Sequence, residues 1–328
     1  MYDLIIIGCG PAGLAVAVEA KKNNLNALVI EKGAIVNSIV NFPTDMIFFS
    51  TSDLLEIDRI PFTSNRIRPT RREAVLYYQK VLDYYRIAVN THERFVKLEQ
   101  NDSSFTVYTH PVSAGESESI NKYRAPYVVL GAGVYDNPRK LNIAGENLPH
   151  VSHHYIEPFP YYQREVVIVG GSNSAVETSL DIHRHGGRVT VLHRGAEINK
   201  GVKYWILPDF QNRVNEGSIN LILNAQIKRI FPKGVEYTIN NKEFSISCDH
   251  VLLMIGYESD ARLFEICQID YDPQSLVPVY DPGTFESSRK GLYLAGTLIA
   301  GKFSNKIFIE NSRAHAQPIV RHILSRLR

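Results

Sequence analysis

Short apolar runs, each closed by a glycine-rich turn, set the pattern of this chain. Leu4-Ile5-Ile6-Ile7 has no polar face and predicts a strand buried on both sides. Residues 12–23 follow with helical character, ending near Asn23-Asn24, and Ala27 to Ile30 predict a second strand that delivers Glu31. The order strand, glycine turn, helix, strand recurs once. Val166 to Val169 enter the turn Gly170-Gly171-Ser172-Asn173-Ser174-Ala175, a helix runs over about 175–185, and Val189 to Leu192 deliver His193-Arg194. Glu31 stands as far beyond Gly8 as His193 stands beyond Gly170.

The remaining pattern fills in around these two units. Thr70 to Tyr85 predict an amphipathic helix with Ala74, Val75, Tyr78, Val81 and Leu82 on one side. Phe95 to Glu99 and Phe105 to Thr109 read as strands joined by Asn101-Asp102, and Pro111 to Lys122, rich in Ser and Glu, as a solvent loop. Tyr127 to Leu130 predict another buried strand, ending in Gly131-Ala132-Gly133. In the second half, 219–223, 227–231, 235–239 and 244–248 read as strands, the last two joined as a hairpin by Asn240-Asn241. Val251 to Ile255 and Gly256-Tyr257 repeat the ending of the 128–131 strand, which marks both as crossings between domains. The resulting expectation is an α/β protein with two Rossmann-like nucleotide-binding domains, each with an added antiparallel β-meander. Residues 134–256 form a domain inserted in one built from 1–133 and 257–328. Gly291 to Gly301 return to strand and turn, and Ser304 to Ile307 precede a final helix that Pro318 kinks.

The first turn has the spacing of a dinucleotide fingerprint. Its glycines serve the tight turn, backbone approach to a pyrophosphate, and helix–strand packing, and the helix N-terminus favours the anion. Glu31 would accept hydrogen bonds from ribose hydroxyls. The second turn carries Ser172 where the second glycine normally lies. An acid at its far end would suit NAD, whereas His193 and Arg194 invite the 2′-phosphate of NADPH; an exposed loop arginine is the plain alternative. Phe48-Phe49-Ser50-Thr51-Ser52-Asp53 reads equally as a wall for a flavin ring or as a packed turn.

Composition narrows the class. Of 328 residues, 44% are hydrophobic and 21% charged, which is globular, and a net charge of +2 gives no reason to expect nucleic acid as partner. Cys9, Cys248 and Cys267 form no CxxC and no metal-ligand spacing, so no metal is expected and a reducing, cytoplasmic setting fits. The apolar start begins at Asp3 and is interrupted by glycines, unlike a signal peptide, and no run of about 20 apolar residues predicts a membrane span.

Several peptides carry a more specific likeness. They are Glu31-Lys32-Gly33, Phe48-Phe49-Ser50, Val202-Lys203-Tyr204-Trp205-Ile206-Leu207-Pro208, Met254-Ile255-Gly256-Tyr257, Tyr293-Leu294-Ala295-Gly296 and Ile307-Phe308-Ile309-Glu310-Asn311. With them the chain resembles the YpdA-type bacillithiol disulfide reductase family, whose architecture is thioredoxin-reductase-like. The resemblance implies a cytoplasmic, homo-oligomeric NADPH-dependent FAD flavoprotein oxidoreductase. It would reduce a low-molecular-weight disulfide such as bacillithiol disulfide; a redox protein or quinone-like acceptor is the alternative. A flavin monooxygenase is the less favoured reading, since no FxGxxxHS-like stretch stands around Ile143 to Tyr155.

By the same resemblance FAD would meet Gly8, Gly10, Pro11, Ala12, Gly13, Glu31, Lys32, Phe49, Ser50, Phe95, Gly131 and Ala132. It would also meet Gly296, Thr297 (where such flavoproteins often carry Asp), Lys306 and Ile307. NADPH would meet Gly170, Gly171, Ser172, Asn173, Ser174, Ala175, His193, Arg194, Lys203 and Gly256. Lys203 reads equally as a solvated lysine beside a buried tryptophan, and Gly133 and Gly256 are candidate hinges. Two departures matter. Val151-Ser152-His153 is followed by His154-Tyr155-Ile156-Glu157, not a CxxC dithiol, and Ala12 stands where much of the family has a cysteine. No catalytic residue is assigned; Cys9, in the same turn, is either a compensating thiol or a small buried gap-filler.

Overall fold

The computed structural model describes residues 2–101, 104–113 and 120–327. The apolar run Leu4–Ile7 becomes the central strand of a parallel sheet because it is covered on both faces. The strand order is Leu292–Leu294, Tyr127–Leu130, Leu4–Ile7, Ala27–Ile30, Ala88–Asn90, with Leu4 opposite Ala27 on one side and Tyr127 on the other. Alternation along the strand sorts the core. Leu4 and Ile6 pack with helices Pro11–Lys22, Arg71–Tyr85 and Ala316–Leu327. Ile5 and Ile7 pack on the other face, with Leu98, Phe105 and Val107 of an antiparallel meander formed by Glu93–Asn101, Ser104–Pro111 and Asn121–Ala125.

The second unit repeats the design. Its sheet runs Ile219–Ile222, Arg188–Leu192, Glu165–Val169, His250–Leu253, Val151–Ser152, all parallel. Val166 and Ile168 face helix Asn173–Arg184, while Val167 and Val169 face the meander Gln226–Phe231, Gly234–Ile239, Lys242–Ser247. The turn of its last hairpin has Asn240 and Asn241 both at positive φ, the backbone that two-residue hairpins need. By contact, residues 1–42, 46–137 and 257–328 form one compact unit, and 43–45 with 138–256 the other. Among the described residues no helix is long and apolar enough to cross a membrane.

Several elements differ from the sequence expectation, among them helices Leu207–Asn215 and Ala261–Cys267, which it left unassigned. Asn121–Ala125 is a strand, although the loop reading ran to Lys122; pairing with Ser104–Pro111 supplies the hydrogen bonds its polar sequence does not advertise. The centre of that loop, 114–119, and Asp102 of the preceding turn lie outside the described residues. The short edge strands Ala88–Asn90 and Val151–Ser152 are too brief to show a period. The final helical run begins at Ile309 and passes through a 3-10 turn, Arg313–His315, into Ala316–Leu327. That irregularity falls one turn before Pro318, whose ring crowds the carbonyl four residues back.

Helix Arg71–Tyr85 begins with a capping box: Glu73 N–H donates to Thr70 Oγ1 at 3.3 Å, and Thr70 N–H to the Glu73 carboxylate at 2.8 Å. Thr70→Ala is expected to lower unfolding free energy by about 1 kcal/mol in urea denaturation. An unchanged midpoint would show that the box does not hold this helix start.

Candidate functional site

Three turns meet where the first parallel sheet ends: Gly8 to Gly13, Gly131 to Gly133, and Gly296-Thr297. Gly8 has φ +104, and a Cβ there would lie 2.6 Å from the Gly131 carbonyl oxygen. One on Gly13 would lie 2.1 Å from the Gly8 carbonyl oxygen. The fold itself therefore requires those two glycines. Gly10 differs. Its φ of −73° suits any residue, and a Cβ there would meet no atom within 4 Å. It is the N-cap of helix Pro11–Lys22, no side chain caps that helix, and its first turn holds no acid. Open space before uncapped N–H groups is what a pyrophosphate needs, so the residues present fit a dinucleotide.

Glu31 lies beside this cradle, almost fully buried. Its carboxylate accepts the Cys9 N–H at 2.7 Å and the Gly33 N–H at 2.9 Å, one on each oxygen. Each oxygen keeps a lone pair for a ribose hydroxyl. The sequence reading gave Glu31 only the ribose; the structure adds that it fastens the turn.

The other expected flavin contacts are placed as follows. Lys32 pairs with Asp136 at 2.7 Å, Ser50 is buried, and Phe95 packs against the core cluster of Ile5 and Ile7. Phe49 is exposed, with its carbonyl accepting from Arg68 Nε at 2.9 Å. Gly296, at φ +78, brings its Cα over Ala12: an added Cβ would sit 2.9 Å from the Ala12 methyl. Thr297 Oγ1 borders Gly133, while Ala132 stands between Gly131 and Gly133 at the end of strand Tyr127–Leu130. Ile307 packs on the same core as Phe95, and the Lys306 ammonium lies 4.8 Å from the Phe303 ring centre. His315 was not foreseen. Its Nδ1 accepts the Gly296 N–H at 3.3 Å, its ring stacks on Phe285, and burial pushes its pKa down to about 4, which keeps Nδ1 an acceptor at neutral pH. A lone histidine in a helix carries no sequence signal for this.

None of the three cysteines is a thiolate near neutral pH. Burial, with the Glu31 charge added, pushes Cys9 up to about 12. Burial likewise takes Cys267 to about 12 and Cys248 to about 11. Among the described residues no group of His, Cys, Asp and Glu is arranged to hold a metal.

The second turn is held differently. Gly170 has φ +150, and a Cβ there would lie 2.5 Å from the Met254 carbonyl oxygen. A Cβ on Gly171 would strike the His193 ring, 2.3 Å from Nδ1, so the imidazole lies directly on the turn. Burial lowers the His193 pKa, opposed by a hydrogen bond with the Glu197 backbone and assisted by Arg194. A neutral ring packs the turn, and exposed Arg194 carries the charge. Ser172 and Ser174 are exposed, and Ala175 is buried beneath them. Asn173 spans to the following loop, its Oδ1 accepting the Lys203 N–H at 2.8 Å and its Nδ2 donating to the Gly201 carbonyl at 3.1 Å. Lys203 is buried, its ammonium paired with Glu177 and 5.8 Å from the Trp205 ring centre. The carbonyl of Gly256, at φ +94, accepts the backbone N–H of Arg139 at 3.0 Å, and the Arg139 side chain lies alongside, Nε 3.9 Å from where a Cβ on Gly256 would be.

A family model described as pyridine nucleotide-disulphide oxidoreductase matches residues 5–296, taking in both turns. The chain belongs to that family. It is an enzyme family, and membership implies a flavin and a nicotinamide cofactor. The chain is 37% identical, over 98% of its length and 97% of the relative, to the bacilliredoxin reductase Bdr of Bacillus subtilis strain 168. It superposes on the bacillithiol disulfide reductase Bdr (YpdA) from Bacillus cereus with a TM-score of 0.95, at 38% identity and 99% coverage of both chains. The thioredoxin reductase of Lactococcus lactis shares the fold, with a TM-score of 0.78 at 18% identity over 99% of this chain and 98% of that one.

The contrast between Gly10 and Gly13 gives a test. Gly10→Ala is expected to change apoprotein stability by no more than about 1 kcal/mol, the poorer N-cap offsetting the gain in chain entropy, yet to weaken flavin binding at least tenfold. Gly13→Ala is expected to destabilise the apoprotein by about 3 kcal/mol. Apoprotein melting and fluorescence titration with FAD check both; full FAD affinity in Gly10→Ala would contradict the cradle.

Proposed function

We propose that this chain is an NADPH-dependent FAD flavoprotein that reduces disulfides of the bacillithiol disulfide class. The observation that carries this reading is the pair of glycine cradles of opposite polarity, one closed by the buried carboxylate of Glu31, the other by exposed Arg194. FAD is assigned to the first unit. Gly10 and the N–H groups after it take the pyrophosphate, Glu31 takes a ribose, and Gly131, Ala132, Gly296, Thr297, Lys306 and Ile307 surround the remainder. NADPH is assigned to the inserted domain, 134–256, where Gly170 to Ala175 would hold the pyrophosphate and Arg194 would supply a positive charge to the 2′-phosphate. His193 supports the turn, and Lys203 acts through Glu177 and Asn173 by fixing the loop beside it. A homo-oligomeric state and a cytoplasmic setting belong to the same proposal.

When bound, FAD supplies a two-electron carrier between the nicotinamide and the acceptor. The overall change balances as NADPH, one proton and one disulfide going to NADP⁺ and two thiols. The protein's part is binding and orientation; positioning supplies the rate, and the electron input needs no acid or base from the chain. The high pKa of all three buried cysteines favours delivery to the acceptor without a thiol relay in this chain. That observation also favours a second reading, in which the disulfide arrives on a redox protein, and the name of the Bacillus subtilis relative, a bacilliredoxin reductase, points the same way.

Anaerobic mixing with NADPH or NADH, followed by bacillithiol disulfide, tests the reading. NADPH is expected to bleach the flavin at least tenfold faster than NADH, and the disulfide to restore the colour. Arg194→Ser is expected to lower kcat/KM for NADPH by about tenfold to a hundredfold, leaving NADH unchanged. Equal use of both nucleotides, or a flavin that no disulfide reoxidises, would overturn it.

A further inference from the structure

A basic and apolar surface follows the segment that leads into helix Arg71–Tyr85, from Arg59, next to the Asp58 that bonds Tyr85 at the helix's far end, to Arg66 and Arg72 at its start. From Arg59 to Arg72 the chain holds five arginines and no acidic residue. Arg68 Nε donates to the Phe49 carbonyl, and Arg71 donates to the Val40 carbonyl. Arg59, Arg66 and Arg72 are exposed and have no carboxylate partner among the described residues. The first two residues of the helix are themselves arginines, at the end where the helix dipole disfavours cations. Glu73 is the only acid in that first turn, and its carboxylate is engaged by Thr70 and Ser64. Folding is thus made harder by these charges. A sequence that contradicts its own fold locally is expected where function requires it.

Apolar side chains stand among the charges. Residues 46–48 pair antiparallel with 69–71 through Phe48 N–H to the Pro69 carbonyl at 3.0 Å and Arg71 N–H to the Met46 carbonyl at 2.9 Å. At the end of this ribbon Phe49 is 54% exposed and Ile67 is 76% exposed, flanked by Arg66 and Arg68. Arg313 donates to the Asp53 carbonyl at 3.1 Å and to the Glu56 carbonyl, which draws the start of the C-terminal helical run, with exposed Phe308, against the turn bearing exposed Leu54. Phe308 directly follows Lys306 and Ile307, two residues assigned to the flavin.

We propose that this surface docks a small acidic protein that presents the disulfide as a mixed disulfide; the assignment rests on the disulfide-reductase reading. Charge complementarity selects the partner. Free arginines attract and steer an acidic face, and arginine beside large apolar groups is the composition of binding hot spots. A small hydrophilic disulfide would leave Phe49, Leu54, Ile67 and Phe308 without a role.

The test uses the FAD-loaded full chain and a bacilliredoxin in mixed disulfide with bacillithiol as probe, with binding measured by calorimetry. Two variants are compared with wild type: Arg59→Ser/Arg66→Ser/Arg72→Ser, and Ile67→Ser. All four positions are exposed, so the fold is expected to be retained. Each variant is expected to raise Kd at least about tenfold, and wild-type binding to weaken about fivefold or more between low and moderate salt. A probe with its exposed acids changed to amides is expected to bind as weakly as the triple variant allows, while kcat/KM for free bacillithiol disulfide stays within about twofold in both variants. Unchanged Kd in both variants, with free disulfide still turned over, overturns the docking surface alone. An equal fall in kcat/KM for the free disulfide overturns it too, by assigning the arginines to the small anion. Failure of wild type to turn over either form overturns the disulfide-reductase reading, and the acceptor assignment with it.

Discussion

The structure depends most on a buried carboxylate that takes one backbone N–H on each oxygen. Glu31 ends the strand Ala27–Ile30, and its carboxylate binds N–H groups on both sides, from Cys9 in the glycine turn and from Gly33 in the chain beyond. A carboxylate removed from water without such partners would cost several kcal/mol. With them it fastens the turn, the strand end and, through its own backbone bonds to Asn90 and Glu93, the next strand and the meander. The same arrangement leaves lone pairs toward the cradle. One residue therefore both braces the turn and keeps acceptor capacity beside it.

The second turn solves the same problem without an acid. The neutral His193 ring lies against Gly171, and Asn173, Lys203 and Glu177 strap the loop of residues 199–203 to the helix that follows the turn. Strand Arg188–Leu192 ends at His193 and exposed Arg194 rather than at an acid. One turn is thus braced by a carboxylate and the other by an imidazole ring with an exposed arginine beyond it.

Much of this was legible because two strong local signals coincide. Unbroken apolar runs mark strands buried on both faces, and glycines mark the places where backbone meets backbone, as at Gly8, Gly13 and Gly170. Paired asparagines gave the hairpin at Asn240-Asn241. What escaped lacks a local cause. Asn121–Ala125 becomes a strand through its partner, and the edge strands are too short to show a period. His315 reaches Gly296, and Arg139 reaches Gly256, across distances in sequence that no spacing rule covers. The role of Lys203 was ambiguous for the same reason, since Glu177 lies on a separate helix. Gly10 is the converse case, a glycine that neither its φ nor its surroundings require.

The proposed transfer of electrons from the flavin to the acceptor uses no thiol of this chain. Ala12 stands where the resemblance implies a cysteine in much of the YpdA-type family, and burial pushes the pKa values of Cys9, Cys248 and Cys267 well up. Steady-state turnover of bacillithiol disulfide by the variant Cys9→Ala/Cys248→Ser/Cys267→Ala, checked for full flavin content, tests this most directly. The account expects turnover within about threefold of wild type, since small substitutions at buried sites leave the cradles intact. A variant that keeps its flavin and its reduction by NADPH but loses disulfide turnover a hundredfold or more would contradict it.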